Sequence, residues 1–489
     1  MKKRILFINP AKKDYFLIQR VHMGFSLLGG ILSRNGHEVK VVDYAFLRWS
    51  KLRRSLPDTL EIINNFQPDI IGISVFTYLY DECLEIIERL SHFTEMPIIL
   101  GGPHATLFPD DFTKDKRVSY IVRGEAENII LDLINTAKKE KLPIVINSPI
   151  PRPQDIPDIN LDIVMGSKYV KVYQIQLSRG CPFSCSFCNI NLLNSRRVRP
   201  RDLDLCVEQI KESKNKYPSI NTIAITDDCP NYDKERFKQF LIKFKEIKIG
   251  CVLTIDNMRA DLLDEEAVRL YKEAGGRNIC LGVESGHPEV FASVNKKETL
   301  EDIINTARLI RKYKLELGLC FVIGLPGDNL ERNKDSVRFA NRLRPDYIFW
   351  NMCIPWPKTK VYEWFQKNGT IGDARNFSTL IDARVNFKRP PTYSSDFTCE
   401  ERIKAWLISN LETCSLPIFL IGNLKYLPFN MLKTFLLSMR YKVMRSYLKY
   451  IRGLISYKII LMFKAVLERR KIVSTIRPLS KTNNSGSSI

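Results

Sequence analysis

Three cysteines, Cys181, Cys185 and Cys188, fall within Leu177-Ser178-Arg179-Gly180-Cys181-Pro182-Phe183-Ser184-Cys185-Ser186-Phe187-Cys188, directly after a strand-like run from Val172 to Leu177. Their spacing constrains the fold more than any other feature. The chain must present three thiols from one tight loop at the end of a strand. Thiolates are soft ligands that suit iron–sulfur clusters, and a [4Fe–4S] cluster normally takes four of them. Three close cysteines without a fourth leave one iron open to another ligand. The alternative is a structural zinc site or three unrelated core thiols. Zinc normally closes with four ligands, and no His or Cys follows at a suitable short spacing.

The rest of the chain reads as an α/β protein of several domains. At 489 residues it is too long for one core. Short apolar runs alternate with helical ones in the first 140 residues: Arg4–Asn9, His37–Tyr44, Asp69–Val75, Pro97–Leu100 and Tyr120–Arg123 as strands, with helices over Gly24–Arg34, Tyr80–His92 and Ala126–Ala137. Nearly continuous apolar strands of this kind form a parallel sheet covered on both faces. Ligands bind such sheets at the carboxyl ends of the strands. Prolines at 143, 149, 151, 153 and 157 mark residues 141–168 as an irregular linker. Alternation resumes over 169–372 with six strand candidates: Val172–Leu177, Thr222–Thr226, Cys251–Ile255, Asn278–Val283, Leu317–Ile323 and Tyr347–Met352. Six β/α units are fewer than the eight that close a full barrel, so a partial barrel is expected. The N-terminus lacks the features of a signal peptide. No apolar run reaches the roughly 18 residues of a spanning helix. A cytoplasmic setting follows, in which grouped cysteines read as metal or catalytic sites.

With Phe187 before the last cysteine, the loop reads CxxxCxΦC, which resembles the radical S-adenosylmethionine enzymes. The strand ends fit that resemblance. Thr226-Asp227-Asp228 stands where the family takes the methionine amino group. Glu284 and Ser285 stand at the ribose-contacting position, and Gly324 and Gly327 in the adenine-side turn Gly324-Leu325-Pro326-Gly327-Asp328. The resemblance thus implies Cys181, Cys185 and Cys188 as cluster ligands, with Phe187, Asp227, Asp228, Glu284, Ser285, Gly324 and Gly327 around S-adenosylmethionine. Pro68-Asp69-Ile70-Ile71-Gly72-Ile73-Ser74, Gly101-Gly102-Pro103-His104-Ala105-Thr106 and Arg123-Gly124-Glu125 resemble the cobalamin-binding domain that precedes many such cores. For cobalamin it implies Ser74, Thr77, Gly101, Gly102, Pro103, His104, Arg123 and Glu125. None of the five histidines, His22, His37, His92, His104 and His287, sits in the Asp-x-His-x-x-Gly frame that ligates cobalt in the well-known cobalamin mutases and methyltransferases. A Rossmann-like module without cofactor is the alternative for this domain.

The expected architecture is therefore a Rossmann-like (flavodoxin-like) cobalamin-binding domain over 1–140, the linker, a partial (β/α)6 radical S-adenosylmethionine barrel over 169–372, and a basic, mostly helical region over 373–489. The resemblance implies a 5′-deoxyadenosyl radical that abstracts hydrogen from an unactivated carbon of a small molecule or lipid, followed by methyl transfer from cobalamin. It also implies an electron donor such as flavodoxin or ferredoxin. Radical cyclisation, oxidation or rearrangement with cobalamin in electron transfer is the alternative reaction, and a non-catalytic cofactor-binding protein the alternative class. The net charge of +21 is concentrated at the end: sixteen Lys or Arg against three Glu from Glu401 onwards. Helical spacing over Glu400–Leu411 and Phe429–Ile455 suits either an amphipathic helix on an anionic membrane face, peripheral to its inner side, or a cap on the open barrel. Nucleic acid ranks below both. Lys481–Ile489 is polar and expected to be disordered.

Overall fold

The computed structural model describes residues 2–11, 20–49, 56–91, 95–372 and 390–413. These residues belong to one compact unit, 1–426. The first sheet has six parallel strands: β1 (Arg4–Asn9), β2 (Glu38–Asp43), β3 (Ile70–Ser74), β4 (Ile98–Gly101), β5 (Tyr120–Arg123) and β6 (Ile144–Asn147), in the order β2-β1-β3-β4-β5-β6. The register runs from Ile5↔Ile70 to Ile8↔Ile73 between β1 and β3. β1 and β3 are almost wholly buried because helices cover both faces. The chain reverses its winding between β1 and β3, and such a switch point opens a crevice at the strands' carboxyl ends.

Two expectations change here. The linker is not a plain connection. Residues 144–147 pair with β5 as the sixth strand. Further on, Val41 N–H donates to Ile163 O (2.8 Å) and Met165 N–H to Val41 O (2.9 Å) along the opposite edge. The linker thus lines both edges of the sheet, which removes unpaired strand edges. Pro143 and Pro149 bracket β6 and keep it to four residues. The helix expected over 126–137 covers only Ile130–Thr136, because Glu125 and Glu127 are drawn into ion pairs with the second domain.

The second domain is a partial barrel of six parallel strands: β7 (Val172–Ile175), β10 (Thr222–Ile225), β11 (Val252–Ile255), β12 (Asn278–Glu284), β13 (Glu316–Ile323) and β14 (Tyr347–Met352). They form two three-stranded halves, β11-β10-β7 and β12-β13-β14. The bridges Leu253↔Gly276 and Met258↔Leu281 join the halves. A short ribbon, β8 (Ser178–Arg179) with β9 (Arg199–Pro200), frames the cysteine loop. The outer helices start at polar caps: Asp202, Asp233, Asp264 and Asn329 accept from first-turn N–H groups, and Thr299 forms a capping box with Asp302.

A second ribbon, β15 (Gly369–Ile371) with β16 (Thr392–Ser394), leads to helix Cys399–Glu412. That helix packs beside β14: Trp406 Nε1 donates to Trp350 O (3.0 Å) and Asn333 Nδ2 to Ser409 Oγ (2.8 Å). The first part of the basic region therefore flanks the last barrel strand. The helix expected over 429–455 and the tail over 481–489 lie outside the described residues. Among the described residues no helix is long and apolar enough to cross a membrane.

Candidate active site

The cysteine loop follows β7 and is held from all sides. Asp227 accepts from Leu177 N–H (2.7 Å) and Ser178 Oγ (2.6 Å); Asp228 accepts from Gly180 N–H (2.9 Å) and Asn194 Nδ2. Gly180 has φ +90°, and a Cβ there would meet Arg197 O at 2.6 Å, so only glycine fits. On the far side Ser186 N–H donates to Val294 O (2.8 Å) and Val361 N–H to Ser186 O (3.1 Å). Phe187 packs, half-buried, against the core formed by Val290, Val294, Leu325 and Phe365. That core includes a residue of the Gly324–Asp328 turn, so Phe187 links the two loops.

The three thiols remain half-buried and free. Burial pushes Cys188 up to about 12 and raises Cys185, whereas a hydrogen bond from Cys229 lowers Cys181 to about 7. Thiols that burial keeps protonated become ligands when a metal supplies the missing positive charge. Among the described residues no three His, Cys, Asp or Glu side chains converge on a single-ion position. A cubane cluster makes a different demand, since each thiolate meets a different iron. Three soft donors on one rigid loop fit the cluster and not a closed zinc site.

Glu284 ends β12 with φ +65°, where the pairing with β13 shifts register. Its carboxylate is buried and faces Lys296 Nζ at 3.6 Å; Lys296 also meets Glu298 at 2.8 Å. Burial raises the Glu284 pKa, while the Lys296 charge opposes that rise. Glu298 in turn accepts from Ala260 N–H at 2.6 Å. Beside this network the Arg259 guanidinium stacks on Phe183 at 3.7 Å and pairs with Asp261. Sequence reasoning missed Lys296 and Arg259, because neither belongs to a periodic pattern. The structure also redirects two named groups. Asp227 is wholly buried and both its oxygens are used by the cysteine loop, so it positions that loop and does not reach outward. The Ser285 hydroxyl is turned to Ser336 and His287 N–H.

At the carboxyl edge of the first sheet, a cavity of ≈ 710 Å³ opens at the switch point. Asn9, His22, Asp43 and Phe76 line it from the sheet, and Gln174 and Thr254 from the barrel interior. Gln174 Nε2 donates to Val21 O (2.6 Å), and Arg20 pairs with Asp256 across the same boundary. Burial drops the His22 pKa to about 4, so the ring is neutral. Nδ1 accepts from Phe25 N–H at 3.0 Å, which leaves Nε2 to donate to Ser74 Oγ at 2.8 Å. Both nitrogens are occupied, and His22 has no lone pair for cobalt.

None of the residues named from sequence for cobalamin lines this cavity. Ser74 reaches its wall only through His22. Thr77 and His104 bond each other at 3.2 Å. His104 is wholly buried, is also bonded to Asp111, and stacks on Phe108 at 4.8 Å. It therefore shapes the glycine loop from within the core. Gly102 has φ +95° and opens the short helix that begins at Pro103. Gly101 leaves open space where a side chain would stand, as a ligand cradle requires. Arg123 donates to Thr106 O and Asn147, tying that loop to β6. Glu125 is taken up by Arg179 (2.5 Å) and Arg199, and Glu127 also meets Arg179 (2.6 Å). This buried quartet joins the first domain to the residue two places before Cys181.

Residues 175–340 match the family model of the radical SAM superfamily, and residues 21–134 match that of the B12 binding domain. The chain belongs to the radical SAM enzymes that carry a B12 binding domain. The matched models set the cofactors: a [4Fe–4S] cluster and S-adenosylmethionine with the first, cobalamin with the second. An uncharacterized methyltransferase of Pyrococcus horikoshii is 26% identical over 399 residues, covering 75% of this chain and 84% of its own. The anaerobic magnesium-protoporphyrin IX monomethyl ester cyclase of Rubrivivax gelatinosus is 26% identical over 333 residues, covering 62% of this chain and 59% of its own. The structure of the radical S-adenosylmethionine methyltransferase TsrM from Kitasatospora setae superposes with a TM-score of 0.61 at 20% identity, over 76% of this chain and 78% of that one. This radical SAM enzyme therefore has the N-terminal parallel-sheet domain and the partial barrel that its sequence implies.

Proposed function

We propose that this enzyme C-methylates an unactivated carbon of a small molecule or lipid. The observation that carries the reading is the buried Arg179–Glu125–Arg199 clamp. It fixes the cysteine loop to the B12 domain, and residues of both domains also line one cavity along their boundary. A reaction that needs both cofactors at one carbon requires the two domains to be held in fixed register. When bound, the cluster and S-adenosylmethionine supply a radical able to take hydrogen from carbon, and cobalamin supplies a methyl carrier. The protein's own part is positioning. Cys181, Cys185 and Cys188 hold the cluster. Glu284, beside Lys296, accepts from the ribose hydroxyls, and Gly324 and Gly327 let backbone approach the adenine. Asp227 and Asp228 keep the loop in register, and the neutral His22 orients Ser74 at the corrinoid wall.

Anaerobic turnover tests the proposal. We expect 5′-deoxyadenosine after reduction by a flavodoxin- or ferredoxin-type donor, and a product heavier by one methylene. The similarity to the Rubrivivax cyclase favours one second reading, radical cyclisation or oxidation with cobalamin carrying electrons. Loss of hydrogens or an unchanged mass would establish that reading in place of methylation. The basic segment from Glu401 onwards adds an anionic membrane face as a partner. Co-sedimentation with phosphatidylglycerol vesicles at low salt, lost at high salt, is expected; no sedimentation at low salt removes that partner.

A further inference from the structure

The helix Cys399–Glu412 sends one charged side chain back into the barrel. Arg402 is 1% exposed, among the largest fully buried side chains described. Its Nε donates to Phe397 O at 3.0 Å; its Nη1 donates to Thr392 Oγ1 at 2.9 Å and to Gly324 O at 3.1 Å. The rings of Phe397 and Phe365 lie 4.9 and 5.3 Å from the guanidinium. Burying a cation this completely is costly, and a neutral amide would meet the same carbonyls more cheaply. The charge needs a reason.

The Gly324 peptide supplies one. Its N–H donates to Asp328 Oδ2 at 2.8 Å, while its C=O accepts from Arg402. One residue is thus held between a carboxylate and a guanidinium, each through a charge-assisted bond stronger than a neutral one. Gly324 has φ +86° and Gly327 φ +79°, so the turn adopts left-handed backbone at two places. A Cβ at Gly324 would collide with the guanidinium. Gly324 and Arg402 are therefore matched: the arginine fills the volume that a side chain would take.

We infer that Arg402 is a positioning residue for S-adenosylmethionine, by which the C-terminal helix sets the Gly324–Asp328 turn against the adenine side of the site. The inference rests on the reading of that turn given under the proposed function. It assigns residues 392–402 a role in the reaction that the barrel strands do not supply. The helix lies about eighty residues beyond the turn in sequence, so truncation or displacement of this segment acts on cofactor binding and not only on stability.

The test uses anaerobically reconstituted holoenzyme. Arg402→Met is expected to raise the S-adenosylmethionine dissociation constant about 10-fold, measured by equilibrium dialysis, with iron content and cobalamin affinity unchanged. Arg402→Lys recovers part of the loss. A purely structural residue would move cobalamin affinity as well. Gly327→Val, in the same turn but away from Arg402, serves as the control and is expected to weaken S-adenosylmethionine binding. If Gly327→Val weakens it and folded Arg402→Met does not, the positioning role is wrong while the reading of the turn stands. If neither does, the turn does not face S-adenosylmethionine and both fail. Should Arg402→Met not fold, Thr392→Val removes one hydroxyl beside the guanidinium and is expected to raise the constant about 3-fold; no change overturns the inference.

Discussion

Cys185→Ala protein, reconstituted without oxygen, is expected to lose its iron–sulfur absorption and to release 5′-deoxyadenosine only at background level. Cys185 is the sharpest choice among the three. Cys181 lies against the Cys229 thiol, which could replace it as a donor. The charges acting on Cys185 are Lys296, Arg259, Glu284 and Cys181. The cations in that set cannot ligate iron, Cys181 is already committed to the cluster, and the Glu284 carboxylate is a harder donor already engaged by Lys296. Loss of an outer partner costs a metal site about 10–100-fold, so loss of a ligand exceeds that range. Iron and sulfide analysis together with chromatography of the nucleoside checks the outcome. Full iron loading with parental cleavage in this variant would remove the cysteine loop from the chemistry, and the methylation proposal with it.

The fold was legible wherever local pattern decides. β1 and β5 fall on the expected residues, and β2, β3 and β4 lie within a residue or two of them, because each is a short apolar run between helices. The cysteine loop was equally plain, since its information lies within one dozen residues. What sequence could not give are contacts across the chain. Asp227 stands at the expected strand end, but its side chain turns back to Leu177 and Ser178, fifty residues earlier. The resemblance names Glu125 for cobalamin; in the structure its carboxylate pairs with Arg179 and Arg199 of the other domain, and no local pattern announces such a pair. His22 belongs to no motif in the sequence, yet it lines the cavity. β6 is a four-residue run between Pro143 and Pro149, too short for its pattern to outweigh the prolines around it.

The same long-range pairing yields the second large expected effect, that of Glu125→Ala. In the parent, Arg179 and Arg199 have side chains 6% and 7% exposed, and the Glu125 carboxylate meets both. Its removal leaves Arg179 with Glu127 at 2.6 Å and Gln176 at 2.8 Å. Arg199 is left with the carbonyls of Pro151 and Asn194. A guanidinium stranded in that way destabilises a protein by about 3–5 kcal/mol, enough to lower the melting temperature clearly. The loss should persist at high salt, because a buried pair is screened far less than a surface one. Glu125→Gln keeps one acceptor oxygen and is expected to lose less. Because Arg179 stands two residues before Cys181, iron loading should fall as well, although no cysteine is altered. The double variant Glu125→Ala with Arg199→Met removes the stranded charge and should recover part of the stability, since residues in one network do not act additively. Calorimetry of the cofactor-free protein, with iron analysis after reconstitution, reads both effects. A melting temperature and an iron content equal to the parent's would mean that the clamp holds neither the domains together nor the cysteine loop in place.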